Sequence, residues 1–186
     1  MGVPNRDEAW ALLTEYTEGD GLLKHALSVE AAMRYYAEKF DEDAEYWGVV
    51  GLLHDFDYER FPSLEDHPFK GAEILREHDV DEDMIQTMMS HANHTGVPRD
   101  TLQRKTLFAV DELCGFVTAV ALVRPSKKID EVKPKSVKKK LKDKAFARNV
   151  DREDVRAGAE LLEIDLDEHI GNVISAMQRV APQLGL

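Results

Sequence analysis

A chain of 186 residues, 43% hydrophobic and 32% charged, has the composition of one globular domain with a sizeable core. Its net charge of −12 argues against general nucleic-acid binding, so no DNA or RNA partner is expected. The polar, acidic N-terminal stretch has no apolar core, the most apolar run (107–123) contains Asp111 and Glu112, and Cys114 is the single cysteine. A cytoplasmic protein without signal peptide, membrane span or disulfide framework is expected.

Apolar residues recur with helical spacing, and no convincing alternation marks a strand. The first helix is predicted over 6–17, ending at Gly19. The second runs over about 21–40, with Leu22, Ala26, Val29, Met33 and Tyr36 in one stripe. The segment 45–55 is apolar nearly all round, as suits a helix in the centre of a fold. Asp66-His67-Pro68 reads as a helix start, with that helix running to about His78 and another over 82–91. A long helix over 101–123 stops before Pro125. Pro134 introduces a short basic helix, Asp151 caps another, and the last covers about 167–183. With no linker or repeat, the whole chain, 1–186, is expected to form an all-α, single-domain helical bundle. Segment 124–148 holds eleven Lys/Arg against Asp130, Glu131 and Asp143, a local +8 that leaves −20 elsewhere. It reads either as a solvated helix face or as an attractor for a phosphorylated ligand. The last helix, ending APQLGL, offers an apolar face to the domain itself or to a homo-oligomer.

Four positions put polar groups where the pattern is apolar. In GLLHDFDYER, His54 and Asp55 directly follow Leu52 and Leu53. His25 lies at the edge of the second helix's stripe. Asp111 has Leu107, Cys114, Thr118 and Leu122 as its helical neighbours and so faces the core. A buried, unpaired carboxylate costs several kcal/mol. Singly, the histidines read as hydrogen-bonded core residues, Asp55 as a helix cap or a partner of Arg60, and Asp111 as a partner of a buried cation. Together, two imidazoles and two carboxylates from three helices suit one divalent ion held in a bundle core.

The ordered series His25, His54-Asp55 and Asp111 resembles the HD-domain superfamily of metal-dependent phosphohydrolases. EDHPFKGAEIL (65–75) and MMSHANHTG (88–96) resemble its members with additional histidines. The likeness spans about 21–123, with the basic helix and C-terminal helices of 124–186 packed on that core. It implies metal ligands His25, His54, Asp55, His67, His91 and Asp111, with Asp55 bridging one or two divalent ions (Fe, Mn, Co, Ni, Zn or Mg). It also implies hydrolysis of a small phosphorylated substrate, a nucleotide or other phosphate ester, by an ion-activated water.

His94 competes with His91 as ligand; the more regular helix favours His91. Many relatives follow the pair with Ile-Gly-Lys, whereas this chain has Phe56-Asp57-Tyr58, so no lysine role carries over. Asp57, with Asp55, is the candidate catalytic carboxylate; Glu59 is a weaker one, and both also read as surface groups in a turn. Lys70, one turn beyond His67, and Arg124 are candidate phosphate ligands, ahead of Lys135, Lys138 and Lys139. His78 and His169 read as structural. Two other readings stay open: an HD-type di-iron oxygenase, which the same six ligands would suit, and a non-catalytic, metal-stabilised ligand-binding module with the basic segment as its partner surface.

Overall fold

Helical periodicity is realised along the whole chain. The computed structural model describes residues 2–186, and among them ten α-helices and two short 3-10 turns form an all-α bundle without β-strands. The helices are α1 (Arg6–Tyr16), α2 (Asp20–Phe40), α3 (Ala44–Leu53), α4 (Phe69–Glu77) and α5 (Glu82–Met89). They continue with α6 (Leu102–Leu122), α7 (Pro134–Leu141), α8 (Arg152–Leu161), α9 (Leu166–Gln178) and α10 (Ala181–Leu184). Side-chain caps start most of them: Asn5 forms a capping box with Glu8, and Asp43, Asp81, Thr101, Asp151 and Asp165 accept from first-turn amides. No helix is long and apolar enough to cross a membrane, among the described residues.

The apolar α3 sits at the centre, with Trp47 to Leu53 all buried. It lies directly on α2, and Gly51 is what allows this: a Cβ there would stand 2.9 Å from the Val29 carbonyl oxygen. The long helices α2 and α6 carry most of the remaining core, including Val29, Met33, Tyr36, Leu107, Leu113, Phe116 and Val117. Helix α8 closes on α6 through Gly158, whose Cβ would meet the Ala109 Cα at 2.6 Å. Outside the core, Glu30 ties α1 to α2 through Arg6 at 2.6 Å and Arg34 at 3.1 Å, and Arg34 reaches on to Glu45.

Two boundaries differ from expectation. Residues 63–68 form turns, with Ser63 Oγ donating to Asp66, and α4 begins only at Phe69. The single C-terminal helix expected over 167–183 is two helices. Pro182 has no N–H to give, and the chain breaks at Arg179–Val180 before α10 begins. His169 is fully buried in this region. Its ring nitrogens meet the Tyr36 hydroxyl at 2.6 Å and the Ala109 carbonyl at 2.8 Å, joining α9 to α2 and α6.

Candidate metal centre

Leu52 and Leu53, both inaccessible to solvent, anchor the end of α3 and carry the helical backbone into His54. The His54 Nδ1–H donates back to the Gly51 carbonyl at 2.8 Å, which leaves Nε2 with its lone pair facing inward. His91, just past α5, repeats the device by donating Nδ1–H to the Met88 carbonyl at 2.6 Å. His67, on the turn before α4, donates Nδ1–H to Asp57 at 2.9 Å. Three imidazoles therefore present acceptor nitrogens to one point. Asp55, His25 from α2 and Asp111 from the middle of α6 complete the ring.

The distances are those of a ligand shell. The Asp111 Oδ1 lies 3.0 Å from His25 Nε2 and 3.4 Å from His54 Nε2. The Asp55 Oδ1 lies 3.2 Å from His67 Nε2 and 3.1 Å from His91 Nε2, and those two nitrogens are 3.2 Å apart. Asp55 Oδ2 lies 3.6 Å from His54 Nε2. Two groups, His25/His54/Asp55 and Asp55/His67/His91, each bring their ligand atoms within 4.8 Å of one another, and Asp55 belongs to both. The buried His54 Nε2 and Asp55 Oδ1 have no hydrogen-bond partner. His25 Nε2 meets Asp111 and His67 Nε2 meets His91 at hydrogen-bond distance, but the His54 and Asp55 atoms are left over, and a buried polar atom left this way is costly unless a cation answers it. The residues present fit a divalent ion bound by nitrogen and oxygen.

The electrostatics point the same way. Burial works against charge on His54, but Asp55 and Asp111 override it and lift the imidazole to about 9. His67 is likewise lifted to about 9, against burial, by Asp55 and Asp57. Burial would raise Asp55 and Asp111, yet the surrounding histidines hold both below the ordinary carboxylate range. The non-metal readings of these carboxylates fail on geometry. Arg60 lies over the Tyr16 ring and donates to the Glu15 carbonyl, and the ion-pair partners of Asp111 are histidines.

The centre forms the floor of a cleft of about 400 Å³, a size that suits a small metabolite. Its walls include Tyr58, Asn93, His94, Phe108, Glu112 and Asp154. His94 spends its Nε2 on the His67 carbonyl at 2.8 Å, whereas the His91 Nε2 faces Asp55. Burial, helped by the adjacent Asp111 charge, pushes Glu112 up to about 7.

Several sequence-predicted site residues stand elsewhere. Asp57 is neither a surface group nor a cleft group. It is 1% exposed and sits behind His67, accepting from His67 Nδ1 and from the Gly71 N–H at 2.9 Å, so it positions a ligand and cannot reach a substrate. Glu59 accepts from the Glu18 and Gly19 amides at the start of α2, away from the cleft lining. Lys70 points to solvent and pairs with Glu73 at 2.7 Å. Arg124 lies thirteen residues beyond Asp111, roughly 20 Å along the α6 axis, and donates to Ser136 at 3.0 Å. Lys135, Lys138 and Lys139 line a separate surface groove, where Lys138 pairs with Asp167 at 2.7 Å. None of these lysines or arginines lines the cleft. Sequence reasoning missed Tyr58, Asn93, Phe108 and Asp154; only Glu112, beside Asp111, carried a local signal. His78 caps α4, its Nδ1 donating to the Ile74 carbonyl at 2.9 Å.

With that geometry in place, the family follows. The HD domain family model matches residues 22–114, half of the chain, and the protein belongs to that family. HD domains bind divalent metals and are generally metal-dependent phosphohydrolases. No solved structure matches the chain significantly.

Proposed function

We propose that this protein is a phosphohydrolase that uses two divalent ions to cleave a phosphate ester of a nucleotide or other small metabolite. The observation that carries the reading is Asp55, whose carboxylate is common to two adjoining clusters of ligand atoms. His25, His54 and Asp111 would hold one ion with Asp55, and His67 and His91 would hold the other with it. When bound, such ions lower the pKa of water and polarise a phosphoryl oxygen.

The chain's own groups set up that chemistry. Gly51, Met88 and Asp57 fix the tautomers of His54, His91 and His67, so that each Nε2 lone pair faces the centre without reorganisation. The Tyr58 ring stands edge-on to His67, 5.2 Å between centroids, and shields that side from bulk water. Asp55 and Asp111 both line the cleft, so ions held by them would face a substrate seated there. Asp57 is a positioning residue. Substrate is held by the centre itself and by the cleft walls, with no role for Lys70 or Arg124.

The test is phosphate release by manganese-loaded protein across a panel of nucleotides and small phosphate esters under anaerobic conditions. Turnover of at least one ester supports the reading. The set of four histidines and two carboxylates suits a pair of irons equally well. Oxygen consumption by iron-loaded protein, with no phosphate release, replaces the hydrolase by an oxygenase.

A further inference from the structure

The cleft above the centre has one wall of carboxyl groups that no lysine or arginine pairs with. Glu112 follows Asp111 on α6 and is half-buried; its Oε2 accepts from the Asp151 N–H at 3.2 Å. Asp154 stands one turn later, at the start of α8, and accepts from the Asn93 Nδ2 at 2.8 Å. Asn93 is itself held by Arg99, which donates to its Oδ1 at 2.8 Å while lying over the Phe108 ring. The close crossing at Gly158 and Ala109 brings α8 onto α6, and with it Asp154 into the cleft. Neither Glu112 nor Asp154 forms an ion pair with a lysine or arginine among the described residues, and no lysine or arginine lines the cleft. One backbone amide and one side-chain amide are their only donors.

This arrangement treats the two ends of a ligand differently. With divalent ions held by its ligands, the floor would be the positive part of the cleft and so the place for a phosphate. The wall presents two fixed carboxylates to whatever extends from that phosphate. A further anionic group there meets acceptor oxygens and no basic side chain, whereas a cation meets two carboxyl groups already oriented by α6, α8 and Asn93. The exposed ring of Tyr58 supplies apolar surface in the cleft for a short carbon chain.

We propose that Glu112 and Asp154 are specificity residues that select a phosphate ester whose other end carries an ammonium or comparable cationic group. The inference rests on the reading of the floor as a phosphate-binding metal centre, and it narrows the substrate from phosphate esters in general to cationic monoesters. Polyphosphates are disfavoured by the same wall.

The test is calorimetric binding to manganese-loaded protein of aminoalkyl phosphates with two to four carbons. Each is compared with the alkyl phosphate in which a methyl group replaces the ammonium. The expected result is at least tenfold tighter binding of one or more ammonium ligands. Glu112→Gln and Asp154→Asn, which keep the acceptor oxygens for Asp151 N–H and Asn93, are each expected to shrink that preference several-fold. Phosphate release from the same pairs is measured in parallel. Preference without release supports the wall and sinks the hydrolase reading. Equal binding of both ligands, with phosphate released, overturns the wall and leaves the hydrolase reading standing. Binding of neither ligand overturns both, and a preference unchanged in both variants overturns the assignment of these residues.

Discussion

Two fully buried histidines in this molecule show opposite chemistry. His169 spends one ring nitrogen on the Tyr36 hydroxyl and the other on the Ala109 carbonyl, and burial pulls it down to about 4. His54 spends only Nδ1, on Gly51, and turns an unpartnered Nε2 toward Asp55 and Asp111, which lift it to about 9. Burial is common to both, so burial does not make a ligand. What separates them is the second nitrogen: satisfied by a neutral group in His169, aimed at carboxylates in His54. The first histidine joins helices, and the second is placed where it could hold a cation.

The largest expected effect breaks the centre where its two halves meet. Asp55→Ala removes the shared carboxylate and should abolish metal retention, measured by elemental analysis after desalting, along with any phosphate release. Full metal content in that variant would separate Asp55 from the site. Asp57→Asn keeps the shape but loses the charge behind His67. Metal affinity or turnover should fall by about 10–100-fold, the usual consequence of losing a supporting partner of a ligand histidine. An unchanged metal titration would reduce Asp57 to a structural group.

The C-terminal histidine should fail differently. His169→Leu leaves the Tyr36 hydroxyl and the Ala109 carbonyl without their partner, and unfolding in denaturant should show a loss of about 1–3 kcal/mol. Metal content should not change. A variant that lost its ions as readily as Asp55→Ala would erase the distinction between the two histidines.

The pH dependence sharpens the same contrast. His54 and His67 have folded values near 9, above the unfolded value of 6.5. Their protonation stabilises the metal-free fold fully below 6.5, and that contribution is lost as pH rises through 9. Ions compete with those protons, so the rise in Tm on metal loading should grow from pH 6.5 to 9. His169 has the opposite sign: its folded value lies below 6.5, so its contribution is present above 6.5 and erodes as pH falls toward 4. A Tm gap that stays constant between pH 6.5 and 9 would contradict this assignment. The smallest effects belong to the lysines and arginines outside the cleft. Lys70→Ala and Arg124→Ala should leave KM for any turned-over ester within about twofold and stability within about 0.5 kcal/mol, as for ordinary surface substitutions.

The helical fold was readable because its apolar stripes have one period and because Asp151 marks a helix start, where it does accept from first-turn amides. Four residues of the candidate centre, His25, His54, Asp55 and Asp111, stood out for a related reason: each is a polar group set in an apolar context, whereas His67 and His91 entered only through the resemblance to the HD-domain superfamily. Distance in sequence hid the rest. Asp57 looks like a turn residue until the chain folds back and sets His67 and the Gly71 amide against it. Asp154 enters the cleft only because Gly158 lets α8 lie on α6, a contact between segments more than forty residues apart. Lys70 and Arg124 misled for the converse reason. A cation near a motif in sequence attracts attention, but side-chain direction decides whether it meets the ligand, and these two meet Glu73 and Ser136.

The central claim is that the converging lone pairs of His25, His54, Asp55, His67, His91 and Asp111 are a divalent metal centre. Elemental analysis of the protein, loaded with manganese or iron and then desalted, tests it most directly. The account predicts two ions per chain, falling to none in Asp55→Ala. Wild-type protein that retains no metal under any loading condition would contradict it.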